Sequence, residues 1–192
     1  IFSDDEKFVP FSQIVPSYAK ELSGSELLDT ARGDADFLNL NERAEEIDRV
    51  DFVTMDDRRT FRFRTSAVTT DDEPTWFNRV KILEIDELMA NTDPENTNTI
   101  IENLRLGIEA GDIEVWCEDP SFSFWGFQYL LSQFDAQWGP EENRFPDERN
   151  PASERFLCKH LFKILEEIID NQDHLEEMAD PVATKIRSGV YT

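Results

Sequence analysis

The sequence predicts an α+β fold in which a small antiparallel sheet packs with aromatic-rich helices. Residues 60–66 alternate aromatic with charged side chains, which is the period of a strand with one buried face. Residues 76–86 repeat this alternation after a polar, proline-containing stretch at 69–74. Apolar residues recur at helical spacing in 97–110 and again in 156–169. A chain that contains both strand-type alternation and helical spacing of apolar residues is expected to form a sheet covered by helices.

The predicted sheet contains a hairpin and two further strands. The hairpin pairs 60–66 with 76–86 across the polar turn. A third strand is predicted at 51–55 and a fourth at 112–117, where apolar and charged residues alternate again. The fourth strand would deliver Cys117 at its end.

Helices are predicted before and after the fourth strand. An amphipathic helix spans 97–110, and a strongly aromatic one, capped by its first serine, spans 121–138. So many aromatic residues indicate that this second helix is largely buried. A third helix begins at Asn150 and Pro151, because Asn is favoured as an N-cap and Pro at the first helical position. It is predicted to continue to residue 169.

The domain organisation is predicted as one central domain with an arm at each end. Residues 1–50 have apolar positions without a continuous stripe, and Pro10 and Pro16 interrupt helical spacing. They are predicted to form a helical or extended N-terminal arm that packs on the domain or on a neighbouring subunit. Residues 51–179 form the α+β domain, and 180–192 an irregular C-terminal tail. Because the chain begins with isoleucine, it is expected to be processed, truncated or renumbered.

Composition limits the functional classes. With 192 residues, 39% of them hydrophobic, the chain can bury a sizeable core. It has no apolar run near the roughly twenty residues that span a bilayer, which predicts a soluble protein without a membrane partner. The net charge of −23 repels phosphate groups and therefore argues against direct binding of nucleic acid.

One concentration of basic residues stands out against this acidic background. Both strands of the predicted hairpin contribute to it, through Arg62, Arg64, Arg79 and Lys81. These residues are the candidates for a nucleic-acid contact. Charges on the solvent-facing side of a hairpin are the commoner explanation of such a pattern.

Both cysteines and one of the two histidines lie in the segment 116–169. Cys117 and Asp119 stand at one end of a long insert, and Cys158 and His160 at the other. Two thiolates, a carboxylate and an imidazole can complete a tetrahedral zinc site. Residues two apart do not face each other on a helix, so joint ligation by Cys158 and His160 requires the helix to begin late. Two other interpretations remain open, namely that the cysteines are buried small hydrophobic residues or that they form a disulfide.

This segment resembles a SWIM-type zinc finger, whose pattern is Cys-x-Cys, a variable insert and Cys-x-His. Cys117, Cys158 and His160 match it, Pro120 matches a proline common after the second cysteine, and Asp119 replaces that cysteine. The segment also resembles the long-insert form found in virion structural proteins of tailed bacteriophages. The features shared with it are an aromatic helix and the motifs Pro140-Glu141-Glu142-Asn143-Arg144, Arg149-Asn150-Pro151 and Cys158-Lys159-His160-Leu161.

The resemblance implies a non-enzymatic virion structural or assembly protein. Its partners would be other virion proteins or copies of itself, contacted through the terminal arms, and its location the virion after assembly in the host cytoplasm. The finger would act as a structural staple, with zinc or without metal, and no other cofactor is implied. The alternative is a SWIM-type binding module for nucleic acid or protein.

The sequence gives little support to catalysis. It contains neither a Gly-rich phosphate loop nor a Gly-x-Ser-x-Gly elbow. Its acidic pairs are expected by chance among 42 carboxylates. The protein is therefore predicted not to be an enzyme. His174 has no partner motif and is predicted to be a surface residue.

Overall fold

The computed structural model describes residues 22–33, 37–66, 75–145 and 156–191, and it confirms the α+β class. The strands are β1 (Arg49–Met55), β2 (Thr60–Ser66), β3 (Trp76–Ile82) and β4 (Ile113–Cys117). They form one antiparallel sheet in the order β1-β2-β3-β4. The predicted strands at 51–55 and 112–117 and the pairing of the two hairpin strands are therefore confirmed.

The strand register follows from alternating burial. Phe61 pairs with Val80 and Phe63 with Asn78, and all four side chains are buried. On the next strand, Cys117 lies opposite Asn78. Because successive side chains of a strand point to opposite faces, the buried residues share one face of the sheet, while the alternate residues face outward. Cys117 therefore lies on the buried face.

Eight helices form in the described part of the chain. They are α1 (Gly24–Gly33), α2 (Phe37–Glu45), α3 (Ile85–Met89), α4 (Thr97–Glu109), α5 (Pro120–Phe124), α6 (Phe127–Gln133), α7 (Lys159–Ile169) and α8 (Leu175–Arg187). Helix α7 contacts β4 and α8 contacts β1, while α1, α2 and α4 pack against these two helices. None of the helices in the described ranges is long and apolar enough to span a bilayer.

Helix α1 shows how local sequence fixes an element. The Ser23 N–H donates to Glu26 Oε2 at 2.8 Å, and the Glu26 N–H donates to Ser23 Oγ at 3.2 Å. This reciprocal capping box satisfies two of the amides that an N-terminus leaves without helical partners. A Cβ on Gly24 would lie 2.6 Å from the Ile108 carbonyl oxygen, so only glycine permits this approach of α1 to α4.

The structure corrects two predicted elements between 76 and 138. The strand expected over 76–86 ends at Ile82, and a turn leads into α3. The helix expected over 121–138 is split into α5 and α6, because Gly126 adopts a left-handed φ of 78° between them. After α6 the chain returns to the sheet edge, where Gln137 forms a parallel bridge with Val115.

Two further boundaries differ near the C-terminus. The helix expected to begin at Asn150 and Pro151 begins instead at Lys159, and residues 156–158 are not helical. The start at Asn150 and Pro151 itself lies outside the described residues. The expected irregular tail is wrong for residues 180–187, which continue α8 through Pro181. The burial of Val182 and Ala183 in the core explains why the proline does not end this helix.

The described part of the predicted N-terminal arm is integrated into the same core. Leu27, Leu28 and Ala31 of α1 are buried, as is Ile47 before β1. Residues 1–21 and 34–36 lie outside the described ranges, so the arm's first half stays a prediction. From residue 22 onward, the segment packs on the rest of this chain.

Candidate metal centre

The end of β4 and the start of α7 bring three metal-binding side chains together. Cys117 is the last residue of β4, Cys158 is the N-cap of α7, and His160 follows in its first turn. One ligand atom from each lies within 4.8 Å of the other two. The three residues are only 2%, 3% and 4% exposed, respectively. We call this set the Cys–His cluster.

The late start of α7 makes this arrangement possible. Cys158 has an extended backbone, with φ of −76° and ψ of 163°, and helical geometry begins after it. Cys158 and His160 are therefore not two positions apart on a regular helix, where they would point in different directions. Joint ligation by Cys158 and His160 requires a late helix start, and α7 has one.

Asp119, the fourth predicted ligand, lies at the edge of the cluster. Its Oδ2 atom is 3.4 Å from His160 Nδ1, and the same ring nitrogen is 3.6 Å from Cys117 Sγ. Its Oδ1 atom accepts a hydrogen bond from the Ser121 N–H at 2.8 Å, so Asp119, and not Ser121, caps α5. Asp119 therefore contacts the imidazole, although it is not one of the three residues whose ligand atoms are mutually within 4.8 Å.

The two thiols differ in protonation. Burial raises the pKa of Cys117 well above its usual range, and its hydrogen bond to Cys158 adds to the rise. Burial also opposes ionisation of Cys158, but hydrogen bonds to Cys117 and His160 outweigh it and lower the pKa of Cys158 to about 5. Hydrogen bonding between the two thiols therefore favours ionisation of Cys158 over ionisation of Cys117. The backbone N–H of Asp119 also donates to the Cys117 sulfur.

The sheet places a buried polar side chain, that of Asn78, beside the cluster. This residue was not predicted from the sequence. Asn78 pairs with Cys117 across the strands and is fully buried. Its amide nitrogen donates to Thr65 Oγ1 and to the Trp76 carbonyl, both at 3.1 Å. Its Oδ1 is buried and has no hydrogen-bond partner among the described residues. The alternation that buries Val80 and Ile82 also places Asn78 on the inner face, so the strand period contained this signal.

The donor set is chemically suited to a metal ion. Two sulfurs and an imidazole nitrogen are the ligands that soft and borderline metals prefer. Neither cysteine forms a disulfide in this structure, and metal binding would require both sulfurs to be thiolates. The Cys–His cluster could therefore bind a metal, and its burial is typical of a closed structural site rather than an open catalytic one.

The candidate nucleic-acid residues share the outer face of the sheet, but they have local partners. Arg64 forms an ion pair with Asp51 at 2.8 Å, and Lys81 forms one with Glu114 at 3.1 Å. The Arg79 guanidinium lies 4.5 Å and 4.2 Å from the ring centroids of Trp116 and Trp138. Arg62 stacks over a phenylalanine ring, Phe77, at 5.2 Å. Carboxylates thus pair with Arg64 and Lys81, whereas the guanidinium groups of Arg62 and Arg79 lie over aromatic rings.

His174 is not the surface residue that the sequence suggested. Its side chain is only 14% exposed, Nδ1 lies 2.7 Å from Glu177 Oε2, and Nε2 lies 3.1 Å from Glu167 Oε2. An imidazole that faces a carboxylate at each nitrogen donates from both when protonated. The hydrogen bond to Glu167 raises the pKa of His174 against the opposing effect of burial, and Glu177 adds to the rise. The spacing to Glu177 was readable from sequence, whereas the contact to Glu167 on α7 was not.

Fold and site together define an α+β protein with a buried thiol and imidazole cluster between its sheet and its helical layer. Compared with protein-family models, curated proteins and solved structures, the chain matches none of them.

Proposed function

We propose that this chain is a non-enzymatic structural protein, of the kind that the resemblance to tailed-phage virion proteins implies. In this proposal, a zinc ion held by Cys117, Asp119, Cys158 and His160 staples β4 to α7. The observation that supports this zinc site is the buried donor cluster. It brings together Cys117 and His160, which are 43 residues apart in sequence, at the junction of β4 and α7. Such a link holds the helical layer on the sheet in the folded chain.

The distances around His160 support zinc. With Zn–N, Zn–S and Zn–O bonds of about 2.05, 2.3 and 2.1 Å, tetrahedral ligation separates N from S by about 3.6 Å and N from O by about 3.4 Å. The corresponding distances from His160 Nδ1 are 3.6 Å to Cys117 Sγ and 3.4 Å to Asp119 Oδ2. Ligation by Asp119 through Oδ2 would also require the carboxylate to approach the cysteine sulfurs, because none of its oxygens lies within 4.8 Å of all three other ligand atoms.

The four donors also favour a structural role over a catalytic one. A tetrahedral zinc with four protein ligands has no position for water or substrate, which a catalytic zinc requires. Zinc supplies binding free energy that is present only in the folded chain. The protein then contributes a rigid body to an assembly, and its partners are copies of itself or other virion proteins.

Elemental analysis of the purified full chain tests the zinc staple. We expect one zinc per chain in the wild type and a loss of zinc in His160→Gln. His174→Gln is the matched control, because it removes the other histidine and should leave zinc unchanged. Substoichiometric zinc after purification with added zinc would contradict the staple and leave a cluster held by packing alone.

Light scattering coupled to size-exclusion chromatography tests the assembly role. We expect the full chain to form a closed oligomer, and deletion of residues 1–20 to weaken it, because the resemblance implies contacts through the terminal arms. The deletion variant should retain its zinc, which shows that its fold is intact. A compact monomer that is indifferent to the deletion would contradict the assembly role and favour the binding-module alternative.

A further inference from the structure

The two sulfurs of the cluster are placed to react with each other. Cys117 and Cys158 are free and buried, and their sulfurs lie within 4.8 Å of each other. Each residue stands at the end of an element, one closing β4 and the other preceding α7. Bringing the sulfurs to bonding distance, about 2.05 Å, therefore needs adjustment of two end residues rather than of a whole strand or helix.

We infer that Cys117 and Cys158 form an intramolecular disulfide when the cluster is free of metal and meets a peroxide oxidant. The same site then alternates between a metal staple and a covalent one. Because both states join β4 to α7, the connection between the sheet and the helical layer would be kept when the metal is lost. Zinc enters this inference from the proposed function, whereas disulfide formation in the metal-free chain does not depend on it.

The reaction consumes one peroxide for each pair of thiols. The Cys158 sulfur attacks one peroxide oxygen, the O–O bond breaks, and sulfenic acid and water form. The Cys117 sulfur then attacks the Cys158 sulfur, the S–O bond breaks, and the hydroxyl leaves as a second water with the Cys117 proton. The two sulfurs lose two electrons in total, and the two peroxide oxygens are reduced to water.

Burial determines which disulfide can form. Cys117 is 2% exposed and Cys158 is 3% exposed, so a cysteine of another chain cannot approach either sulfur in the folded protein. A small peroxide needs much less access than a protein thiol or a bulky alkylating reagent. The expected product is therefore a bond within one chain, and not a covalent dimer.

Metal and disulfide exclude each other. Cys117 and Cys158 supply the two thiolates of the proposed zinc site, and the disulfide consumes both at once. Free zinc at about 100 times its Kd leaves about one per cent of the chains metal-free, so it should slow disulfide formation about 100-fold.

The test treats the full chain with hydrogen peroxide, once after chelation and once with zinc, and then maps peptides without reduction. We expect the chelated chain to lose two hydrogens in mass and to yield a linked peptide pair containing Cys117 and Cys158. Zinc should suppress this product in proportion to occupancy. In Cys117→Ser, Cys158 should progress to sulfinic acid because no resolving thiol is present. Free thiols, intermolecular dimers or sulfinic acid in the chelated wild type would overturn the inference.

Asp119→Asn separates this inference from the proposed function. It keeps both thiols but weakens the zinc site, so the chelated variant should still form the disulfide while zinc protects it less. If the wild type binds no zinc yet forms the disulfide, the zinc staple fails and the thiol pair stands. If zinc is bound stoichiometrically and the disulfide forms with zinc retained, the exclusion of metal by disulfide is wrong.

Discussion

Asp119 makes two contacts through its two carboxylate oxygens, and they belong to different parts of the molecule. Oδ1 accepts from the Ser121 N–H and caps α5, while Oδ2 lies 3.4 Å from His160 Nδ1. A cysteine at this position, as in the SWIM pattern, would supply a softer ligand but a poorer helix cap. Aspartate at position 119 therefore favours the local stability of the chain after β4 over softness as a metal ligand.

Two substitutions at Asp119 should separate these contacts. Asp119→Asn keeps a capping oxygen, so the unfolding free energy of the metal-free protein should stay within about 0.5 kcal/mol of wild type. Asp119→Ala removes the cap and should cost about 1 kcal/mol. Both should weaken zinc binding in a competition titration. Urea unfolding with chelator measures the cap, and equal losses for Asn and Ala would show that Oδ1 contributes nothing as a cap.

At this scale the sequence predicted the cluster better than its surroundings. The sequence named Cys117, Cys158 and His160 as candidate ligands, and the structure brings them together. The helix predicted from Asn150 would have pointed Cys158 and His160 in different directions, and only the later start at Lys159 avoids this. Asn78 was missed because a buried amide opposite a cysteine becomes visible only when the register of β3 and β4 is known. His174 was misjudged because its partner Glu167 comes from the preceding helix, and the left-handed φ of 69° at His174 that turns the chain is not encoded by a glycine.

His174 should make stability depend on pH. Its folded pKa is raised, chiefly by Glu167, which also pairs with Lys163 at 3.5 Å. A raised folded pKa gives stability that is complete below the unfolded pKa, about 6.5, and that is lost as pH rises through the folded value. The stability advantage of wild type over His174→Gln should therefore shrink from pH 6 to pH 9. Chelated samples followed by thermal unfolding test this, and an advantage that grows with pH would contradict it.

At the scale of the elements, alternation predicted which strand residues face outward but not what covers them. Trp138 lies in the segment after α6, where it covers the outer face of the sheet. Its indole N–H donates to Thr60 Oγ1 at 3.1 Å. Its ring centroid lies 6.3 Å from that of Trp116, and both rings contact the Arg79 guanidinium. From the sequence, Trp138 was predicted to end a single long helix over 121–138. The turn at Gly126 and the bridge between Val115 and Gln137 instead bring it onto the sheet.

Arg79→Gln should destabilise the protein more than Arg62→Gln. Arg79 loses contacts to two indole rings in a partly desolvated position, which should cost about 1–2 kcal/mol. Arg62 contacts one ring, and its charge contributes, after burial, to the lowered pKa of Arg79. Its removal relieves that repulsion and should change stability by less than about 0.5 kcal/mol. Urea unfolding followed by tryptophan fluorescence compares them, and equal costs would mean that stacking on the indoles is not the cause.

At the scale of the whole molecule, the α+β class followed from hydrophobic periodicity, but the C-terminal boundary did not. Pro181 favours the end of a helix because it lacks an N–H and its ring crowds the preceding turn. Burial of Met178, Ala179 and Val182 outweighs that cost and carries α8 to Arg187. Tyr191 beyond the helix is also buried, and its hydroxyl contacts Met55 Sδ at 3.9 Å. Such long-range burial cannot be read from a local pattern.

Zinc should stabilise the whole molecule through the junction between β4 and α7. Because zinc binds the folded chain, the unfolding free energy should rise by about 1.4 kcal/mol for each tenfold increase in free zinc above Kd. Cys158→Ser should show no such slope, whereas His174→Gln should keep it. Hydrogen exchange should show that chelation lowers protection first at the end of β4 and in the first turn of α7, while the pairing of β1 with β2 stays protected. A zinc-independent free energy, or uniform loss of protection, would mean that metal in the cluster does not stabilise the junction between β4 and α7.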